Sequence, residues 1–136
     1  MIVVDTSVLS VVFRRLRRAE PPPRVVKQFA ALVEDDAPLG IPGIVLQELL
    51  SGVRTATQFA KLDEILDGFP LLLATRQTHI SAARVRNQCR ASGLAASTVD
   101  CLVAAHALVA GATLMTLDDD FRRMAPHVGL TLVPIS

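Results

Sequence analysis

Four carboxylates stand in settings where a carboxylate is hard to explain as decoration. Asp5 ends the apolar run that opens "MIVVDTSVLS", and Glu48 lies in "IPGIVLQELLSGV" among Ile44, Val45, Leu46, Leu49 and Leu50. Asp100 lies in the apolar stretch "ASTVDCLVAAHALVAGA", and Asp118 follows the run in "TLMTLDDDF". Desolvating a charge without a partner is costly, so each acid needs a reason to be there. Each has a local one. Asp5, with Thr6 and Ser7, suits a helix start. Glu48 could share a narrow polar strip with Gln47 and Ser51. Ser97 and Asp100 have capping-box spacing. Asp118 could cap a helix whose first turn favours Asp119 and Asp120. All four local reasons must hold at once if none of these acids does chemistry.

A shared reason is simpler. Carboxylates gathered at one point repel one another unless a cation neutralises them. A hard divalent ion such as Mg²⁺, with Mn²⁺ as a substitute, takes oxygen ligands. Such an ion polarises a phosphodiester and activates water, so the chemistry suggested is phosphodiester hydrolysis. The remaining acids need no such role: Glu34, Asp35 and Asp36 read as a solvated turn, and Asp63, Glu64 and Asp67 as an exposed helix face.

The elements that must position these acids alternate between short β-type runs and helical patterns. Strands are expected at Ile2–Val4, Leu39–Ile41, Leu71–Ala74, Thr113–Met115 and Leu130–Val133. Helices are expected near Val8–Leu16, Arg24–Glu34, Gly43–Val53, Thr57–Leu66, Gln77–Ala91, Thr98–Ala110 and Asp119–Ala125. This alternation implies a mostly parallel sheet covered on both faces. In such sheets ligands bind beyond the carboxyl ends of the strands, where strand order reverses. Asp5 and Asp118 both follow strands, so neighbouring first and fourth strands would bring them to one edge with Asp100, and Glu48 would reach in from a covering helix.

Composition narrows the options. At 136 residues and 51% hydrophobic, the chain fits one domain, residues 1–136, with a single sizeable core. Tyr and Trp are absent, which disfavours recognition by aromatic base stacking. The net charge is +1, yet of 14 basic residues only Lys27 and Lys61 are lysines, the rest arginines. That bias favours an anionic partner met locally. The candidate patches are Arg14, Arg15, Arg17 and Arg18; Arg84, Arg86 and Arg90; and Arg122 with Arg123. A solvated helix C-terminus explains the first equally well. Three prolines, Pro21 to Pro23, separate the first two helices. Cys89 and Cys101 lack metal-ligand spacing and read as buried free thiols in a reducing compartment. Asp5 interrupts the N-terminal apolar run, which has no basic flank, and no apolar stretch reaches about 18 residues. A cytoplasmic location without membrane contact is expected.

Four pieces in order, "VVDTSVL", "LQELLSGV", "STVDCLVAAHAL" and "LMTLDDDF", resemble the PIN-domain ribonucleases, specifically the VapC-type toxins of bacterial toxin–antitoxin pairs. The resemblance spans Ile2 to Phe121. It implies a Rossmann-like three-layer α/β/α sandwich with a mostly parallel five-stranded sheet. It also implies a Mg²⁺-dependent endoribonuclease acting on structured RNA, such as transfer or ribosomal RNA. The implied acidic site is Asp5, Glu48, Asp100 and Asp118, with Asp5, Asp100 and Asp118 as metal ligands. Asp118 is preferred as the fourth acid because it comes two residues after Thr116, and Asp120 is the other candidate. Thr6, Ser7 and Thr116 would orient water or carboxylates, or serve simple turn and strand-end hydrogen bonding. A VapB-type antitoxin, a homodimer and a toxin–antitoxin hetero-oligomer are implied as assemblies.

Other chemistries fit less well. A metal-free ribonuclease needs a general acid–base pair, and nothing in the sequence pairs His79, His106 and His127. His106, six residues after Asp100, is off that acid's helix face and is not expected to be a ligand. A phosphate-accepting receiver domain would carry an acidic pair at the first strand and a Lys after the last, and here no Lys lies beyond Lys61. The alternative from another class is a catalytically silent module on the same fold, binding RNA or a protein.

Overall fold

The computed structural model describes residues 1–15 and 23–135. Among them, four strands and seven helices follow one another as β1 (Ile2–Val4), α1 (Thr6–Arg15), α2 (Arg24–Glu34), β2 (Leu39–Pro42), α3 (Gly43–Ser51), α4 (Ala56–Leu66), β3 (Leu71–Leu72), α5 (Arg76–Ala91), α6 (Thr98–Ala110), β4 (Thr113–Met115) and α7 (Asp119–Val128). The arginine cluster of Arg14, Arg15, Arg17 and Arg18 lies outside the residues whose side chains are described, as do Pro21 and Pro22.

The sheet is parallel, in the order β3-β2-β1-β4. Ile2, Val3 and Val4 pair with Thr113, Leu114 and Met115 on one side, and Ile2 and Val3 with Leu39 and Gly40 on the other. β1 is therefore the switch point: the chain winds outward through β2 and β3, then returns to the opposite side of β1 as β4. Val3, Val4, Leu114 and Met115 are fully or almost fully buried, as expected of central parallel strands covered on both faces.

α6 packs against β1 and β4. Its run from Val103 to Ala107 is buried, so this helix is apolar nearly all round and sits inside the protein. Gly111 ends it in the left-handed region (φ 61°), a conformation that costs glycine little, and turns the chain directly into β4. α5 packs beside α6 and α7 against α5, and α3 packs on β2 and α1.

The expected fifth strand, Leu130–Val133, is not formed as a strand. It is a single parallel bridge between Leu132 and Leu114, held by Leu114 N donating to Thr131 O and Val133 N donating to Leu114 O, both at 2.9 Å. The next residue, Pro134, has no N–H to extend the ladder. β3 is likewise shorter than the expected Leu71–Ala74. Its partner β2 ends at Pro42, opposite Leu72, and α3 starts at Gly43, leaving Leu73 unpaired and 72% exposed.

Candidate active site

The carboxyl ends of β1 and β4 are stitched together by side chains. Asp5, only 6% exposed, leaves β1 with its backbone N donating to Met115 O at 3.0 Å. Its Oδ2 accepts from Ser7 Oγ at 2.8 Å and from Thr116 Oγ1 at 2.9 Å. Ser7 Oγ in turn accepts from Leu117 N at 2.9 Å, and Thr116 Oγ1 from Asp118 N at 3.0 Å. Among the described hydrogen bonds, the Asp5 carboxylate caps no backbone N–H of α1. Asp5 does stand at the start of α1, its carbonyl accepting from Val8 N at 3.2 Å and Leu9 N at 3.4 Å, but its carboxylate is turned to other partners. Two hydroxyls fix one carboxylate oxygen and leave Oδ1 without a donor among the described bonds.

Asp118 and Asp100 approach from the N-terminal ends of α7 and α6. Asp118 is the N-cap of α7, its Oδ1 accepting from Asp120 N at 2.9 Å, so here the capping explanation holds. Capping uses one oxygen and does not remove the charge. At the start of α6, Ser97 Oγ accepts from Asp100 N at 3.0 Å. The reciprocal bond of a capping box is absent among the described hydrogen bonds, so the Asp100 carboxylate is free to face elsewhere. It faces other acids: one carboxylate oxygen from each of Asp100, Asp118 and Asp120 lies within 4.8 Å of the others.

The electrostatic consequence is visible at Asp100. Burial, then the negative charge of Asp118, push its carboxyl up to about 6. Asp5 and Asp120 add to the rise, and the nearby Ser97 hydroxyl opposes it. Asp5 is therefore beside the trio and felt by it, although it is not one of the three closest acids.

Glu48 is exposed on α3 with Gln47 and Ser51, as the polar-strip reading has it, and it does not join the trio. Thr6 Oγ1 donates to its Oε1 at 2.9 Å, which ties it to the residue next to Asp5. Thr6, Ser7 and Thr116 thus each donate to an acid of the predicted set.

Asp120 is the residue that sequence reasoning ranked second and the structure brings in together with Asp118. It also pairs with Arg123, while Arg122 meets Asp119 at 3.3 Å. The i,i+3 spacing in "DDDFRR" carries the signal for both pairs. His106 is outside the trio: it is buried, and burial followed by nearby His79 lowers its pKa. Cys89 and Cys101 are buried and free, their thiols raised mainly by burial.

The donor set fits a divalent metal. Three carboxylates converge with a fourth beside them, and the group contains no His or Cys. All-oxygen donors suit Mg²⁺ or Mn²⁺ better than zinc or copper.

The PIN domain family model matches residues 2–126, and the chain belongs to this family. Solved structures share its fold. FitAcB from Neisseria gonorrhoeae is 22% identical with a TM-score of 0.78, covering 98% of this chain and 97% of that one. VapBC2 from Rickettsia felis, bound to a DNA fragment from its promoter, is 23% identical with a TM-score of 0.78, covering 98% of each chain. VapBC-5 from Mycobacterium tuberculosis, a member of the VapBC family of toxin–antitoxin systems, is 20% identical with a TM-score of 0.68, covering 98% of this chain and 97% of that one.

Proposed function

We propose that this protein is a VapC-type toxin: a metal-dependent endoribonuclease that hydrolyses phosphodiester bonds in structured RNA and is restrained by a VapB-type antitoxin. The single observation that carries the reading is the gathering of Asp100, Asp118 and Asp120 beside Asp5 at the β1–β4 switch point of a PIN fold. Similarity to chains from VapBC complexes supports the antitoxin partner. A single domain over residues 1–136, a homodimer, a toxin–antitoxin hetero-oligomer and a cytoplasmic site of action complete the proposal. In the described residues no helix is long and apolar enough to cross a membrane.

Asp5, Asp100 and Asp118 would hold Mg²⁺ or Mn²⁺, with Asp120 adjoining them. The bound ion would supply Lewis-acid polarisation of the phosphodiester and activation of water. The chain's own residues set the geometry. Ser7 and Thr116 hold Oδ2 of Asp5, so Oδ1 would be the oxygen offered to the ion. Ser97 and Thr116 hold the backbone N–H of Asp100 and Asp118, and the α7 cap holds Oδ1 of Asp118. Glu48, held by Thr6, is the outlying acid and would orient water at the rim.

The test incubates purified protein, freed of any partner, with total cellular RNA and Mg²⁺ or Mn²⁺, alongside EDTA and Asp5→Asn controls, mapping ends by sequencing. Discrete cuts that vanish in both controls are expected. Cuts that survive both would refute the metal-dependent reading. Absence of both cleavage and metal binding would favour a silent module on this fold.

A further inference from the structure

A metal site built from acids repels the polyanion it is meant to cut, so the substrate strand needs a cationic hold nearby. Among the described residues, one such place lies outside the acid trio. A cavity of about 370 Å³ opens between α5 and the loop leading to α6, lined by Arg86, Arg90, Gly93, Leu94, Ala95 and Ala96. Arg86 and Arg90 are one helical turn apart, both exposed on the same face of α5. The rest of the lining is small or apolar, and none of it is acidic.

Two observations tie this cavity to the acids. Arg86 Nη1 donates to Thr98 Oγ1 at 3.1 Å, and Thr98 stands two residues before Asp100 at the start of α6. That bond holds the guanidinium by one nitrogen and leaves its other donors for a ligand. Leu94, Ala95 and Ala96 also line a void of about 20 Å³ whose other wall includes Asp120 and Arg123. This loop therefore borders both the arginine cavity and a void beside Asp120.

We propose that the Arg86–Arg90 cavity is a subsite for a single-stranded stretch of the RNA substrate, gripping a backbone phosphate near the one presented to the acids. The volume is in the range of small-ligand sites, and the cavity is open enough to admit a strand. Two guanidinium forks suit phosphate oxygens, and the lack of aromatic residues in the lining makes the grip independent of base stacking. The subsite rests on the ribonuclease reading of the acid site.

The test measures binding of a short fluorescein-labelled single-stranded RNA by anisotropy, in EDTA and over a range of salt concentrations. The full-length parent is compared with the Arg86→Ala/Arg90→Ala double variant and with Arg84→Ala, since Arg84 is exposed on the same helix but does not line the cavity. The double variant should bind about tenfold more weakly at low salt, and its log–log salt slope should flatten by about 0.7 for each phosphate no longer neutralised. Arg84→Ala should match the parent, and Mn²⁺ affinity measured by calorimetry should be unchanged in all three proteins. Equal weakening in Arg84→Ala would overturn the subsite in favour of a diffuse charge effect. Parental affinity and slope in the double variant, or a parent that binds no RNA, would also overturn it. A double variant that keeps RNA but no longer binds a polyglutamate peptide would reassign the cavity to an acidic protein. Because binding is read without metal, failure of the ribonuclease reading shows separately, as absent cleavage by a parent whose RNA binding still depends on the two arginines.

Discussion

The hydroxyl of Thr116 donates to Oδ2 of Asp5 at 2.9 Å, across 111 residues of sequence, and accepts from Asp118 N at 3.0 Å. One side chain thus sets the position of two acids, one beyond β1 and one beyond β4. Thr116→Val removes the hydroxyl at nearly constant volume, leaving the buried Asp5 carboxylate and the Asp118 N–H short of a partner. The expected result is a loss of about 1–2 kcal/mol in unfolding free energy. Cleavage should fall by about 10–100-fold, as for other residues that orient a metal ligand. Urea denaturation and single-turnover cleavage check the two effects; an active, equally stable variant would deny Thr116 its positioning role.

At Asp118, capping and charge are separable. Asn caps a helix about as well as Asp. Asp118→Asn should therefore keep the α7 cap and the melting temperature while lowering metal affinity and cleavage by at least about tenfold. Asp118→Ala should lose activity similarly and cost about 1 kcal/mol of stability in addition. Parallel thermal melts and Mn²⁺ titrations distinguish these. If Asp118→Asn retains full activity, Asp120 is the working fourth acid.

Asp100 should destabilise the metal-free protein at neutral pH. Its carboxyl is raised from 3.8 to about 6, so the folded state holds the proton more tightly than the unfolded chain. The stability so contributed is fully present below about pH 4 and is lost as pH rises through about 6. After discounting for partial exposure, the effect is on the order of 1 kcal/mol. In EDTA, Asp100→Asn should be more stable than the parent at pH 7, with the difference vanishing below about pH 4. Denaturation series at several pH values would show it; a variant less stable at pH 7 would contradict the strain assigned to the acid trio.

Metal should reverse that strain. An ion bound only by the folded state adds about 2.7 kcal/mol at a concentration a hundred times its Kd. Mn²⁺ or Mg²⁺ should raise the melting temperature of the parent, EDTA should reverse the rise, and Asp100→Asn should show little of it. Protons compete for the same carboxylates, so the rise should shrink as pH falls below about 6. A metal response of equal size in Asp100→Asn would place the ion elsewhere.

Glu48 offers a test of a charge outside the trio. Glu48→Gln keeps an acceptor for Thr6 at an exposed position, so stability should change by less than about 0.5 kcal/mol. A cleavage rate lowered by about tenfold or more would assign the Glu48 charge a part in the reaction. An unchanged rate would leave it a surface acid.

Much of this was legible in the sequence because it depends on neighbours along the chain. The three-residue strands at Ile2–Val4 and Thr113–Met115 are continuous β-branched or apolar runs; Asp5 follows the first directly, and Asp118 follows the second after Thr116 and Leu117. Ser97 and Asp118 are helix caps by local rules alone. The helix bounds at Arg24–Glu34 and Thr98–Ala110 come from breaker and cap residues. The motif order over nearly the whole chain identified the family.

Where local rules and packing compete, only the tertiary structure decided. Leu130–Val133 has the composition of a strand, yet strand formation needs a partner ladder, and only Leu114 offers one bridge. Glu48 has apolar neighbours in sequence but lies on the exposed side of its helix, because the packing of α3 on β2 and α1 selects the buried side. Asp118 and Asp120 are equivalent in "DDD" until the turn after β4 is built, and the structure then brings both to Asp100. The sequence determined which groups could do chemistry, since their types and local elements are written in it. Their convergence was decided by the parallel pairing of β1 with β4, strands more than 100 residues apart whose meeting no local signal encodes.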